Sequence, residues 1–457
     1  NDFTQNIGNG SYSTADSYVK QVWDGRYTGI RMCNQLLENI DRVPDLDPEL
    51  KKRYIGEAKV LRAYSYYELY TKFGDIPYTT KVLSIKESMS IARTAKATVI
   101  ANVLADLDEV INGNYLPTSY DADNKGRITR WAAMAIKAKI YLFEGNWTQV
   151  KNITSTIMTE GGFKLFGSYA GLFEIANEYN SEVILDAQYR PTSREHQMMY
   201  VFLPPTLGGY SQLSPLQELV DSYIMLDGKT IKETGTSFDE SHPYANRDPR
   251  LKATVMYTGN SYTLADGTEV VINCEKGEGK DGYGVGSDCS ATGYYIKKYW
   301  DNTYRATLYS GLNPILIRYA DILLMNAEAL AELGELDKTA WDATIKPIRD
   351  RAGFTLASAL EFPEGASKDK LIEIVRNERR SELALEGHRH KDIIRWRIAD
   401  NVLNGWCHGL KTNDVVGTDD GYVRVENRTF NANKHYLWPI PQAERDLNGN
   451  LEQNPNW

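Results

Sequence analysis

Hydrophobic positions recur at mixed spacings of three and four from Ser17 to Ile40, where Val22, Tyr27, Ile30, Leu36, Leu37 and Ile40 form one stripe. Such a stripe predicts an amphipathic helix. Val43-Pro44 ends it, and Asp47-Pro48 opens a second helix with a capping residue followed by Pro at the first helical position. That helix runs through Glu57, Leu61, Tyr64 and Leu69 to Lys72 before Phe73-Gly74-Asp75-Ile76-Pro77 stops it, and the two are expected to form an antiparallel hairpin. A third helix is predicted over Thr98 to Ile111, ended by Asn112-Gly113, and a fourth over Trp131 to Phe143, capped by Thr129.

Two stretches then repeat a helix, a Gly-containing turn and another helix. The first begins with Ala135 to Trp147; the second is Arg318 to Gly334 followed by a helix around Trp341 to Arg351. Both have the look of tetratricopeptide units, whose paired helices stack because none buries its apolar face alone. Between about Leu165 and Asn313 the helical period fades, a short β-type run appears at Val183-Ile184-Leu185, and turn residues cluster at Pro204-Pro205-Thr206-Leu207-Gly208-Gly209. The expected fold class is mostly α, with tetratricopeptide-like helix pairs forming an α-α superhelical base under a loop-rich, partly β face. The expected parts are residues 1–200 (helical), 201–310 (loop-rich) and 311–457 (C-terminal), joined in one structural unit.

Composition narrows the function. Across 457 residues, 42% hydrophobic and 25% charged composition argues for a folded chain, and a net charge of -9 would repel nucleic acid. No uninterrupted apolar run is long enough to span a bilayer. Thirty Tyr against 11 Phe, with nine Trp, means that most aromatic rings carry a polar handle suited to a wet surface.

Most candidate chemistry has an ordinary explanation. His388 and His390 stand two apart and point to different sides of a helix, so a structural role outweighs a metal pair. Arg376, Glu378, Arg379, Arg380, Glu382, Glu386 and Arg389 mix both signs at helical spacing and read as scaffold pairs. Asp121 to Gly126 begins like a calcium loop, yet Lys125 and Ala132 stand where ligands are required, which leaves a turn before the Thr129 helix. No cofactor is expected; a structural calcium is possible but not indicated. Cys274 and Cys289 bracket a Gly-rich stretch that a disulfide could staple, the alternative being reduced thiols. No G-x-S-x-G, H-E-x-x-H or Walker loop occurs.

Four segments together resemble the SusD/RagB family of surface nutrient-binding lipoproteins from Bacteroidetes. They are Trp23-Asp-Gly-Arg-Tyr-Thr-Gly-Ile30 with Asn34; Gly56-Glu-Ala-Lys-Val-Leu-Arg-Ala-Tyr-Ser-Tyr-Tyr-Glu-Leu-Tyr-Thr-Lys-Phe-Gly-Asp-Ile-Pro77; Arg376 to Trp396; and Leu437-Trp-Pro-Ile-Pro441 with Glu444 and Gln453-Asn-Pro455. His390 departs from the pattern, which more often has an aromatic there. The resemblance implies a non-catalytic, lipid-anchored outer-membrane protein that captures oligosaccharide and hands it to a SusC-like TonB-dependent transporter. The family's acylated Cys and leading segment lie ahead of the opening helix and outside this chain, with Phe3 and Tyr12 as candidate remnants.

A pyranose offers a C–H face to an aromatic ring and a rim of hydroxyls to polar side chains, so loop aromatics can hold sugar without a catalytic group. Aromatics follow the loops from Tyr200 to Tyr309, through Tyr244, Tyr257, Tyr294, Tyr295 and Tyr299. The candidate glycan contacts are Tyr200, Phe202, Tyr210, Tyr262, Tyr283, Trp300 and Tyr304, joined by Tyr12. The alternatives are a peptide cargo within the same family, a tetratricopeptide scaffold binding protein in a helical groove, or a helical glycosidase.

Overall fold

The predicted helices form where their caps place them. In the computed structural model, which describes residues 5–304 and 307–457, Asp47 accepts from the Leu50 amide at 2.8 Å and starts helix Pro48–Phe73, with Pro48 in its first turn. Gly74 ends it at φ +72°, a conformation that favours glycine. Thr129 accepts from the Ala132 amide to start helix Arg130–Phe143. Asp16 caps helix Ser17–Asn39. Asp121 caps only a short turn, through the Asn124 amide.

The chain is mostly α and divides into two compact units that are discontinuous in sequence. The first comprises Asn1–Ile153, His390–Gly405 and Arg428–Trp457. Helix Pro48–Phe73 packs against Ser17–Asn39 and Lys96–Asn112, and the latter against Arg130–Phe143. Tyr66, Tyr67, Leu69, Tyr70 and Phe73 occupy every face of the final turns of helix Pro48–Phe73 and all are buried, which makes this helix the centre of the unit. Three of the family-like segments meet around it. Trp23 meets the Phe73 ring edge-on at 5.0 Å, Phe73 meets Trp438 at 5.9 Å, and the Asn454 amide donates to the carbonyls of both Phe73 and Trp438. Asn34 is fully buried, donating to the Thr79 and Lys81 carbonyls and accepting from Arg62.

The second unit comprises Thr154–Arg389 and Trp406–Asn427. Helices Tyr319–Leu333 and Lys338–Ala352 turn at Gly334, φ +74°, and pack with Lys368–Glu382 around Leu324, Trp341, Ile345 and Val375. Strand structure is sparse. Val183–Asp186 pairs with Ile315–Arg318, Val255–Met256 with Tyr295–Ile296, and Ser261–Thr263 with Glu269–Val271, all antiparallel. Strand Tyr422–Arg428 lies between Gly405–Lys411 and Thr418–Asp419.

Such short ladders cannot specify a long irregular segment alone. A buried ionic cluster does much of that work. The Glu382 carboxylate, with no exposure, accepts from Arg318 at 2.6 Å, Arg250 at 2.8 Å and Arg351. Glu182 binds Arg318 and Arg351, Glu386 binds Arg318 and Lys298, Glu378 binds Arg250 and Arg349, and Asp248 binds Arg250. The series from Arg376 to Arg389 is therefore scaffold, as expected, but its carboxylates pair with distant buried cations and not mainly along their own helix.

Burial alone would raise the Glu386 carboxyl, but Arg318 and Lys298 outweigh it and hold it down at about 2. Glu382 is likewise held below the carboxylate range, Arg351, Arg318 and Arg250 overcoming the same penalty. A depressed folded-state value contributes stability that is complete above the unfolded value and lost as pH falls through the folded one. Chemical denaturation is therefore expected to show stability declining from roughly pH 4.3, the ordinary Glu value, towards about pH 2. Glu382→Ala leaves this buried cluster one carboxylate short of its cations and is expected to cost about 3–5 kcal/mol, read from the urea midpoint.

Candidate functional site

Arg247 sets the geometry of a cleft in the second unit. Its guanidinium is buried and donates to the carbonyls of Val220, Tyr223 and Pro243 at 2.7 to 3.2 Å. That fixes the loop bearing Tyr244 against the end of helix Gln217–Ser222. Asn260 plays the same part downstream, its amide donating to the Lys252 and Val255 carbonyls and shaping the turn after Tyr257. Tyr244 and Tyr257 consequently stack, with ring centroids 4.0 Å apart and planes 17° apart.

A hydroxyl relay extends from this stack. Tyr244 Oη lies 3.2 Å from Tyr294 Oη, Tyr294 donates to Gln217 Oε1 at 2.6 Å, and Gln217 donates to Asp221 at 2.7 Å. Burial pushes the Tyr244 phenol up to about 12 and raises the Tyr294 phenol well above its ordinary value, so both stay protonated at neutral pH. Lys411 and Tyr422 line the same cleft, the ammonium 5.4 Å from the ring centroid. Tyr422 opens the second strand of a hairpin that turns at Asp420 and Gly421, φ +50° and +86°, the pair of positive angles that matches strand twist.

These residues enclose a cleft of about 1000 Å³ within the second unit, lined by the four tyrosines and by Asn260, Lys252, Glu275 and Lys276 among others. Lys411 pairs with Glu240 at 2.8 Å, and Lys276 pairs with Asp414. The hydrogen bond from Lys276 lowers the Asp414 carboxyl, which makes it an acceptor and not a proton donor. Ring faces, phenol hydroxyls and fixed ionic groups give the cleft the means to hold a polyhydroxylated molecule.

The sequence-predicted aromatics fall differently. Tyr200, Phe202, Tyr283, Trp300 and Tyr304 are half-buried and pack on one hydrophobic cluster with Met199, Leu203 and Tyr295. Tyr210, 41% exposed, stacks on Tyr200 with centroids 4.2 Å apart. Trp300 Nε1 donates to the Thr263 carbonyl, and the Tyr304 hydroxyl to the Leu207 carbonyl. Two candidates must be corrected. Tyr262 has no exposure and spends its hydroxyl on the Ile296 carbonyl, so it is a core residue of that cluster. Tyr12 belongs to the first unit, where His435, Trp438 and Trp457 cover its ring. Phe3 lies outside the described residues.

Loop aromatics carried part of the signal for the cleft, since Tyr244, Tyr257 and Tyr294 belong to that run. Tyr422 and Lys411 lie beyond it, and the clue to them was the Asp420-Gly421 turn beside the alternating Tyr422-Val-Arg-Val. The disulfide alternative is overturned: Cys274 and Cys289 are free, and Cys289 donates to the Lys280 carbonyl. Asp281 pins the Gly-rich loop instead, accepting from the Thr206 amide and, at its carbonyl, from Tyr295. Among the described residues no group of three or more His, Cys, Asp or Glu side chains is arranged to hold a metal ion, and no helix is long and apolar enough to cross a membrane.

Known proteins match the chain along most of its length. A SusD-like carbohydrate binding protein of Bacteroides fragilis superposes with a TM-score of 0.89 at 28% identity, covering 99% of this chain and 89% of that one. SusD-like protein P25 of Formosa agariphila is 28% identical over 84% of this chain and 71% of its own length. SusD-like protein P2 of the same organism is 26% identical over 99% and 82%. The family model described as starch-binding associating with outer membrane matches residues 2–142. The SusD family model matches residues 172–457, more than half of the sequence, and the chain therefore belongs to the SusD family.

Proposed function

We propose that this protein is a non-catalytic glycan-binding protein that captures oligosaccharide in the tyrosine-lined cleft and delivers it, from a lipid anchor in the outer membrane, to a SusC-like TonB-dependent transporter. The observation that carries the reading is the stacked Tyr244–Tyr257 pair in a preformed cleft that Tyr294 and Tyr422 also line. Rings already held by their neighbours lose little freedom on meeting a sugar face, and the protonated phenols and the Lys252 and Lys276 ammonium groups serve its hydroxyl rim. Support from similarity comes from the Bacteroides fragilis protein, described as carbohydrate binding, and from the family model whose description pairs starch binding with the outer membrane. The exposed Tyr210 ring is a secondary contact on this reading.

Affinity electrophoresis in gels cast with laminarin, amylopectin and other polysaccharides tests the proposal, and retardation by at least one of them is expected. Tyr257→Ala or Tyr422→Ala is expected to weaken binding by about 1–3 kcal/mol, roughly fivefold to 150-fold, while Tyr210→Ala costs less. No retardation by any polysaccharide, or full retardation of both cleft variants, would refute the assignment. Incubation with a retained polysaccharide is expected to release no reducing ends; their release would establish glycosidase activity. Co-purification with a TonB-dependent transporter from the native host's membranes tests the delivery step.

A further inference from the structure

His408, on strand Gly405–Lys411, lies between two carboxylates. Its Nδ1 is 2.8 Å from Glu218 Oε1 and its Nε2 is 3.0 Å from Asp419 Oδ2, while its backbone amide also donates to Glu218. An ionised carboxylate only accepts hydrogen bonds, whereas a neutral imidazole has one donor and one acceptor. A ring bonded to a carboxylate on each side therefore carries a proton on both nitrogens. Burial opposes that charge, but the hydrogen bonds to Asp419 and Glu218 outweigh it and raise the imidazole above the ordinary histidine value.

The three elements joined by this cation all reach the cleft. Glu218 follows Gln217, the acceptor of Tyr294; Leu410 and Lys411 follow His408; Asp419 begins the turn that carries Tyr422. Other charges are arranged around the clasp. Arg424 binds Asp419 from the far strand of the hairpin, Arg380 of helix Lys368–Glu382 donates to the Glu218 carbonyl, and Asp221 lies three residues beyond Glu218 on its helix. Loss of the ring proton leaves Arg424 to serve Asp419 but places a lone pair against one of the two carboxylates, which opens one side of the clasp.

We propose that doubly protonated His408 is a positioning residue for the cleft, clasping helix Gln217–Ser222 to the hairpin so that the wall is closed in acidic and neutral solution and loosens in alkaline solution. Its bearing on glycan capture rests on the reading of the cleft given above. Because the folded state holds the proton more tightly, the clasp's contribution is complete below the ordinary histidine value and disappears as pH rises through the raised one.

The test uses the full chain without saccharide, so its failure and that of the glycan reading are separable. Nitrogen-15 NMR of histidine-labelled protein, assigned with His408→Gln, is expected to show both ring nitrogens protonated at about pH 7. Amide hydrogen exchange, corrected for intrinsic rates, is expected to show protection of 217–222 and 405–428 falling about tenfold between roughly pH 6 and pH 9. His408→Gln should give low protection at both values, and His408→Arg, which keeps a cation with divergent donors, high protection at both. A neutral ring near pH 7, protection unchanged with pH in the parent, or the parent's pH dependence persisting in His408→Gln would overturn the proposal.

Discussion

Three guanidiniums converge on the Glu382 carboxylate in an interior without water access, and the irregular part of the second unit depends on that arrangement. Desolvating charge is costly, so a buried carboxylate tolerates only a conformation in which its cations are in place. Arg250, Arg318 and Arg351 come from widely separated segments, as do Glu182 and Lys298 beside them. Meeting this requirement orders the backbone of several segments together, where strands of two to seven residues give little long-range guidance. Glu378 and Glu382 stand four apart on one helix, a like-charge pair that is unfavourable on an isolated helix and becomes favourable when basic partners arrive from elsewhere.

The cleft is built by the same economy of polar partners. Arg247 donates to three backbone carbonyls, so its role is to hold backbone, and the stacked tyrosines follow from the loop it fixes. The abundance of Tyr over Phe has a structural meaning here. Tyr262, Tyr295 and Tyr304 each fasten a loop by donating to a carbonyl, while Tyr244 and Tyr294 pass a hydrogen bond along the cleft wall. A Phe at these positions would pack as well and tether nothing.

Helices were legible in the sequence because their signals are local: Asp47-Pro48, Thr129 and Gly334 mark starts and a stop through bonds to residues a few positions away. Family-like segments were legible for a related reason, since Trp23, Phe73, Trp438 and Asn454 form one packed group. Loop aromatics were not legible individually. Tyr257 lines the cleft and Tyr262, five residues on, is wholly buried, yet no periodic pattern separates them because a turn and a strand start between. Tyr12 was misplaced for want of its cover, supplied by His435, Trp438 and Trp457 more than four hundred residues away in sequence.

The walls of the cleft come from turns and short hairpins, whereas the Glu382 cluster draws on other residues of the unit. Exchanging the turns around Tyr257 or Tyr422 would re-cut the groove while the inherited ionic masonry around Glu382 keeps its partners.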